Sequence, residues 1–174
     1  MNRSSARSAA QQRDALYLLF RMGDDRYALA AKDIVAILPL PPLKQVAEAP
    51  HWVAGLFSYR GQVLPVLDLS ARAFARPAEL RTSTRLVLVH YRQQQDADEP
   101  LLTVGLILER VSETRRINDA AFSASPMAGQ PEYLGAVQPA ADGVLQKITV
   151  EQLLDADLRA FLLGENAAQV RSDA

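Results

Sequence analysis

Trp52-Val53-Ala54-Gly55-Leu56-Phe57-Ser58-Tyr59-Arg60-Gly61-Gln62-Val63-Leu64-Pro65-Val66-Leu67-Asp68-Leu69 is the stretch that decides the fold. Two apolar runs, Val53–Arg60 and Gln62–Leu69, flank Gly61 and predict two strands joined by a tight turn. Pro65 has no amide hydrogen to give a ladder, which predicts an edge or a bulge there. Asp68 at the end of the second run is suited to cap a helical turn over residues 70–74.

Working outward, the same period of two continues. Leu16, Leu18, Phe20 and Met22 alternate with Tyr17, Leu19 and Arg21; Gly23-Asp24-Asp25 is turn chemistry, and Tyr27 and Leu29 resume the pattern. Residues 16–30 therefore predict a hairpin. Residues 33–38 form a β-branched run stopped by Pro39, Pro41 and Pro42, and residues 39–50 a proline-punctuated loop. Strands are predicted over 86–91 and 101–109, joined by a polar loop, with a bend before the sheet continues over 111–117. Residues 123–131 hold Ser, Pro and Gly and predict a loop. Val150, Leu153, Leu154, Leu158, Phe161 and Leu162 recur at helical spacing, with Thr149 and Gln152 placed for a capping box and Gly164 for a stop. Many short strands, close turns and one late helix predict small β-barrels rather than a doubly wound sheet. No repeat is visible at the level of residues.

Composition narrows the function. Nineteen basic against 20 acidic residues leave a net charge of −1, which removes the basic excess of a nucleic-acid binder. The absence of cysteine excludes disulfides, thiolate catalysis and Cys-ligated zinc. No apolar run reaches the roughly 20 residues of a membrane span, and no apolar stretch follows the basic start as a signal peptide requires. His51 and His90 stand in no metal-ligand spacing, and no glycine-rich phosphate loop or G-x-S-x-G elbow is present. Ser58, His90 and Asp68 compose a triad only if the fold brings them within hydrogen-bond reach; a small hydrolase or ligand-binding enzyme on a β scaffold is the alternative that this leaves open.

The order of motifs resembles the CheW-like family of chemotaxis coupling proteins. Gly55, Arg60, Gly61, Pro65, Asp68 and Leu69 match its strand-turn-strand pattern, with Ser58 and Tyr59 in place of the usual Asn-Leu of the turn. Phe20–Leu29 resembles its opening hairpin, Glu132-Tyr133-Leu134-Gly135 a late motif, and the segment after Thr149 its closing one. The likeness covers residues 15–163, leaving 1–14 and 164–174 as tails expected to be disordered. The short Tyr-Arg-Gly turn and the Pro-Leu-Pro-Pro loop resemble an accessory, Wsp-like branch.

The resemblance implies a mainly β protein: two five-stranded SH3-like barrel subdomains sharing an apolar core, with a C-terminal helix. It implies no catalysis and no cofactor. The implied partners are the regulatory domain of a CheA-type histidine kinase and the cytoplasmic tip of a chemoreceptor, in the cytoplasm, with the membrane reached only through the receptor. The implied partner-binding residues are Ile34, Ala36, Ile37, Gly55, Ser58, Tyr59, Arg60 and Gly61. Four of them have a plainer reading: Ile34 and Ile37 as core, Gly55 as a bulge or barrel corner, Arg60 as a solvated turn charge. Two departures stand out. Ala36 replaces a frequent glutamate that offers the turn arginine a charge partner, and Gln146-Lys147 falls where an apolar strand is usual.

Overall fold

The computed structural model describes residues 14–92, 101–154 and 159. The elements bounded among the described residues are nine strands and one short helix: β1 (Asp14–Met22), β2 (Asp25–Ala30), β3 (Ile34–Pro39), β4 (Val53–Tyr59), β5 (Gln62–Asp68), α1 (Leu69–Phe74), β6 (Arg85–Tyr91), β7 (Leu102–Asn118), β8 (Leu134–Ala140) and β9 (Gly143–Ile148).

β7 is long enough to serve two sheets. Its first part, Leu102 to Leu108, pairs with β6; its second, from Glu109 onward, pairs with β1. Sheet one runs β7–β1–β2–β9–β8 and sheet two runs β3–β6–β7–β5–β4. In each, successive neighbours are antiparallel, antiparallel, parallel and antiparallel. The two halves thus share one plan, although the residues show no repeat. The likeness extends to the loops: Lys44 bridges the outer edge of β4 at Leu56, and Ser123 bridges the outer edge of β8 at Val137. The protein is mainly β, with five strands in each half as expected. Neither sheet is closed into a barrel by a continuous ladder among the described residues; single bridges cover β4 and β8 where closure was expected.

The alternating runs bury both faces. Leu18, Phe20 and Met22 of β1 meet Leu67 of β5, Val87 and Val89 of β6 and Leu106 of β7 in one core shared by the halves. The residues between them turn away: Tyr17 and Leu19 pack on a small cluster outside sheet one, Leu86 and Leu88 on one outside sheet two. Strands covered on both sides need near-continuous apolar sequence, which is what 16–22 and 86–89 supply. Between the halves, Arg72 of α1 lies 4.5 Å from the ring centre of Trp52 and 5.3 Å from that of Tyr133, the residues that precede β4 and β8.

Several expectations change. Pro65 marks no bulge, but it does sit on a local edge of β5, one of the two expected alternatives. Leu56 spends both its N–H and C=O on Lys44, so its pairing with Pro65 is the non-hydrogen-bonded kind and the proline nitrogen faces away from β4. On that other side, pairing with β7 begins only at Val66. The bulge falls instead between Val53 and Gly55. Thr149 makes no side-chain cap, and Val150–Gln152 is a 3₁₀ turn, after which Leu153 and Leu154 are buried. Beyond Leu154 the expected helix lies, Arg159 aside, outside the described residues, as do most of the polar loop after Tyr91 and the two tails; Asp14, counted with the first tail, opens β1. Strands β8 and β9 were not foreseen.

Candidate partner-binding surface

The β4–β5 hairpin closes with a two-residue turn, Tyr59 pairing with Gln62. Arg60 has φ +48° and Gly61 φ +81°. Two positive angles in succession are the type I′ geometry, whose twist matches that of the flanking strands. The turn is therefore held out from the sheet in one shape, and Arg60 rides at its tip. The Arg60 guanidinium lies 5.2 Å from the ring centre of Tyr59, which stacks on Phe57 at 6.4 Å. Both rings pack against the outer cluster of sheet two. No carboxylate pairs with Arg60 among the described residues.

The eight residues named from the sequence do not share one exposure. Ser58, Arg60 and Gly61 are exposed at the turn, with Tyr59 half-buried beneath them. Ile37 is exposed on β3. Ile34 packs on the shared core and Ala36 on the outer cluster of sheet two. Gly55 is buried at φ +148°, and an added Cβ there would come within 2.5 Å of the Lys44 carbonyl oxygen. Its freedom serves the close approach of the 40–44 loop to β4, which leaves no surface for a partner. β3 and β4 stand at opposite ends of the strand order, yet Ala36 and Tyr59 pack on the same cluster.

A surface beside the turn was missed. β5 and β7 pair only from Val66 and Gly105 onward, so the segments 62–65 and 101–104 run unpaired to one another and border a groove of about 430 Å³. Leu64, Val104 and Leu154 are its buried walls, while Val63 is 67% exposed and Leu101 is also exposed. The alternation around Leu64 and Val66 carries the signal: if those two point inward, Val63 points to water. Sheet one has the equivalent at its own parallel pair, a groove of about 440 Å³ bordered by Tyr27, Val137 and Val144, with Phe74 and Met127 exposed at its side. Val144 is 60% exposed and follows the β8–β9 turn as Val63 follows the β4–β5 turn. This second groove has Asp25, Arg26 and Gln146 among its lining residues, but its surface is also mostly apolar. Burial, then Asp25 and Tyr133, push the Tyr27 phenol up to about 12, so it stays neutral.

The hypothetical triad does not assemble. Asp68 accepts hydrogen bonds from the N–H groups of Ala71 (3.0 Å) and Ala78 (2.8 Å), which makes it the cap of α1. Ser58 and His90 are exposed on β4 and β6, which are not neighbours. Among the described residues, no group of three His, Asp or Glu side chains converges as metal ligands, and no helix is long and apolar enough to cross a membrane.

The family model of the CheW-like domain matches residues 16–158. The chain belongs to the CheW-like family. Among its curated relatives, the probable chemotaxis protein CheW of Rhizobium etli is 25% identical over 123 residues, covering 71% of this chain and 74% of the relative. Protein FrzA of Myxococcus xanthus is 28% identical over 134 residues, covering 75% and 79%. The crystal structure of the scaffolding protein TtCheW from Thermoanaerobacter tengcongensis superposes with a TM-score of 0.71 at 18% identity, over 83% of this chain and 90% of that one. Within this CheW-like frame, Lys147 is accounted for internally. It donates to Asp119 at 3.0 Å, and its ammonium lies 5.6 Å from the ring centres of both Tyr17 and Phe122.

Proposed function

We propose that this CheW-like chain is a non-enzymatic scaffold adaptor of a chemotaxis-type system, working in the cytoplasm and coupling a chemoreceptor to a CheA-type histidine kinase. The kinase regulatory domain docks on the turn Ser58–Gly61 and the groove that begins at Val63; the receptor's cytoplasmic tip is the second partner, and through it the chain reaches the membrane. One observation carries this reading. An arginine with no carboxylate partner among the described residues stands on a shaped turn, directly beside exposed valine and leucine over a concave apolar wall. That combination is an interface anchor: arginine supplies a planar fork of donors, and the apolar wall supplies burial. The relatives bearing chemotaxis names and the structural neighbour named as a scaffold support it.

Titration calorimetry against a cognate kinase regulatory domain and receptor tip tests the reading, with thermal melts alongside. Arg60→Ala is expected to melt within about 0.5 kcal/mol of the parent, as exposed surface changes do. It is expected to weaken binding of at least one partner about tenfold or more, equivalent to about 1.4 kcal/mol. Val63→Glu, which puts a charge at the lip of the apolar groove, is expected to abolish kinase binding while leaving the fold intact. Normal binding of both partners by both variants overturns the assignment of this surface.

A further inference from the structure

We infer that Arg110 is a positioning residue: its side chain ties the two halves together and fixes the angle at which their grooves face. The seam is at one place in β7. Leu108 is the last residue paired with β6, through Arg85, and Glu109 the first paired with β1, through Arg21. The next residue, Arg110, has φ +46°. A long side chain in that region is strained, and it persists where surrounding contacts over-determine it.

Those contacts reach into both halves. From Arg110, Nη1 donates to the carbonyl oxygen of Gly23 at 3.3 Å and lies 3.9 Å from Asp24, both in the β1–β2 turn of sheet one. Nη2 lies 3.9 Å from Glu79, in the loop between α1 and β6 that belongs to sheet two. The preceding carboxylate, Glu109, is 2% exposed; it accepts from the Glu79 N–H at 2.7 Å and faces Arg76 at 3.5 Å. A Cβ on Gly23 would stand 3.6 Å from the same Arg76 guanidinium. On the far side, the Val111 N–H donates to Ser83 at 3.0 Å. The crossover is thus held on both sides by directional polar contacts. The shared core behind it is apolar, and apolar contact sets how closely two sheets approach with little preference for their rotation. For a scaffold whose output is geometry, that rotation is what must be held.

The chain has no cysteine, so spin labels can be placed at single introduced sites. Gln62→Cys and Ala141→Cys, exposed at the tips beside the two grooves, report the groove-to-groove distance by double electron–electron resonance. The measurement needs no partner, so its result is independent of the adaptor reading. Arg110→Gly removes the guanidinium and relieves the positive φ, which favours retention of the fold. Glu79→Gln weakens the same tie from a side chain about half exposed; it also removes the Glu79–Arg81 ion pair at 2.7 Å, which Arg81→Gln alone controls for. In Arg110→Gly and Glu79→Gln, the distance distribution is expected to broaden about twofold or to move to a new mean, with the shared-core melt retained and Arg60→Ala unchanged as a control. Distributions that overlay the parent in both variants overturn the inference and assign the angle to the apolar core alone.

Discussion

Sheets one and two have the same strand order and the same sense, but they use their charges differently. At the β8–β9 turn, Asp142 is held by Arg26 at 2.6 Å and Arg21 at 3.4 Å, and the Arg26 hydrogen bond keeps its carboxyl below the usual range. At the equivalent β4–β5 turn, Arg60 meets only the Tyr59 ring among the described residues. Sheet one satisfies its turn internally beside its groove; sheet two leaves a cation outward beside a groove that is likewise mostly apolar. The lesson is that a repeated frame need not mean repeated function. The sequence difference between the turns, Arg60-Gly61 against Ala141-Asp142, is small, but it decides which half has charge to spare for another molecule.

The comparison breaks most completely if the halves fold separately. Leu67 of β5 and Ile148 of β9 occupy equivalent positions and both enter the shared core, at 0% and 1% exposure. Burial of such a side chain stabilises by about 1.5–3 kcal/mol, and an unpaired buried carboxylate costs several kcal/mol more. Against a total stability of about 5–15 kcal/mol, Leu67→Asp is expected to unfold sheet one together with sheet two. Amide exchange resolves the alternative: protection that survives in β1 and β2 of the variant shows two independent cores.

Glycines at the corresponding register shifts of β4 and β8, one position apart, sharpen the comparison at a smaller scale. A Cβ at Gly55 meets a backbone oxygen, Lys44 O, at 2.5 Å and must also adopt φ +148°. A Cβ at Gly135 meets the Thr149 hydroxyl at 2.5 Å, which a change of rotamer can move, and the Lys147 carbonyl oxygen less closely, at 3.2 Å. Gly55→Ala is therefore expected to cost about 2–3 kcal/mol. Gly135→Ala is expected to cost about 1 kcal/mol or less. Denaturant melts give both, and equal losses mean that Thr149 is fixed as firmly as backbone.

Much of sheet two was legible because its signals are local. The apolar run, the Arg-Gly turn, the capping Asp68 and the bend before Val111 all lie within a few residues of their effects. Sheet one was half legible. β1 and β2 follow from alternation, but β8 and β9 carry Gly135, Pro139, Gln146 and Lys147 and read as broken pattern; their pairing depends on β2, more than 100 residues away. Pro65 was legible as a local edge, but the hydrogen-bond phase that turns its nitrogen away from β4 is set by Lys44 and was not. The candidate site divides likewise. The turn was visible, but the groove beside Val63 exists because β5 and β7 diverge, and no local sequence records that.

Lys147 offers the finest test, because it stands where an apolar residue is usual. Its stem and ammonium lie over Tyr17 and Phe122, and its charge is met by Asp119, which also accepts from the Tyr17 hydroxyl. Burial pulls the ammonium toward lower pKa, but hydrogen bonds to Asp119 and Tyr17 outweigh it and leave the group raised. Asp119 is lowered, first by Tyr17 and then by Lys147. The signs give two windows. A lowered carboxyl contributes stability above its unfolded value of 3.8 that is lost as acid titrates through the folded value; a raised ammonium contributes below 10.5 and loses it as base titrates through the folded value. Lys147→Met keeps a flexible apolar stem over the two rings and removes the ion pair. Because Asp119 is about half exposed, water solvates the carboxylate left behind. Ion pairs of this exposure contribute about 0–1 kcal/mol, and methionine recovers part of that by burial, so the net change at neutral pH is expected within about 0.5 kcal/mol. The change that matters is in the profile: melts of Lys147→Met are expected to lose the part of the alkaline fall that the ammonium contributes, with the raised Tyr27 phenol still contributing to it, and to soften the acid fall below 3.8. A variant destabilised by more than 2 kcal/mol at pH 7 shows instead that sheet one depends on this pair as its fastening, and that the apolar residue usual at this strand cannot replace it.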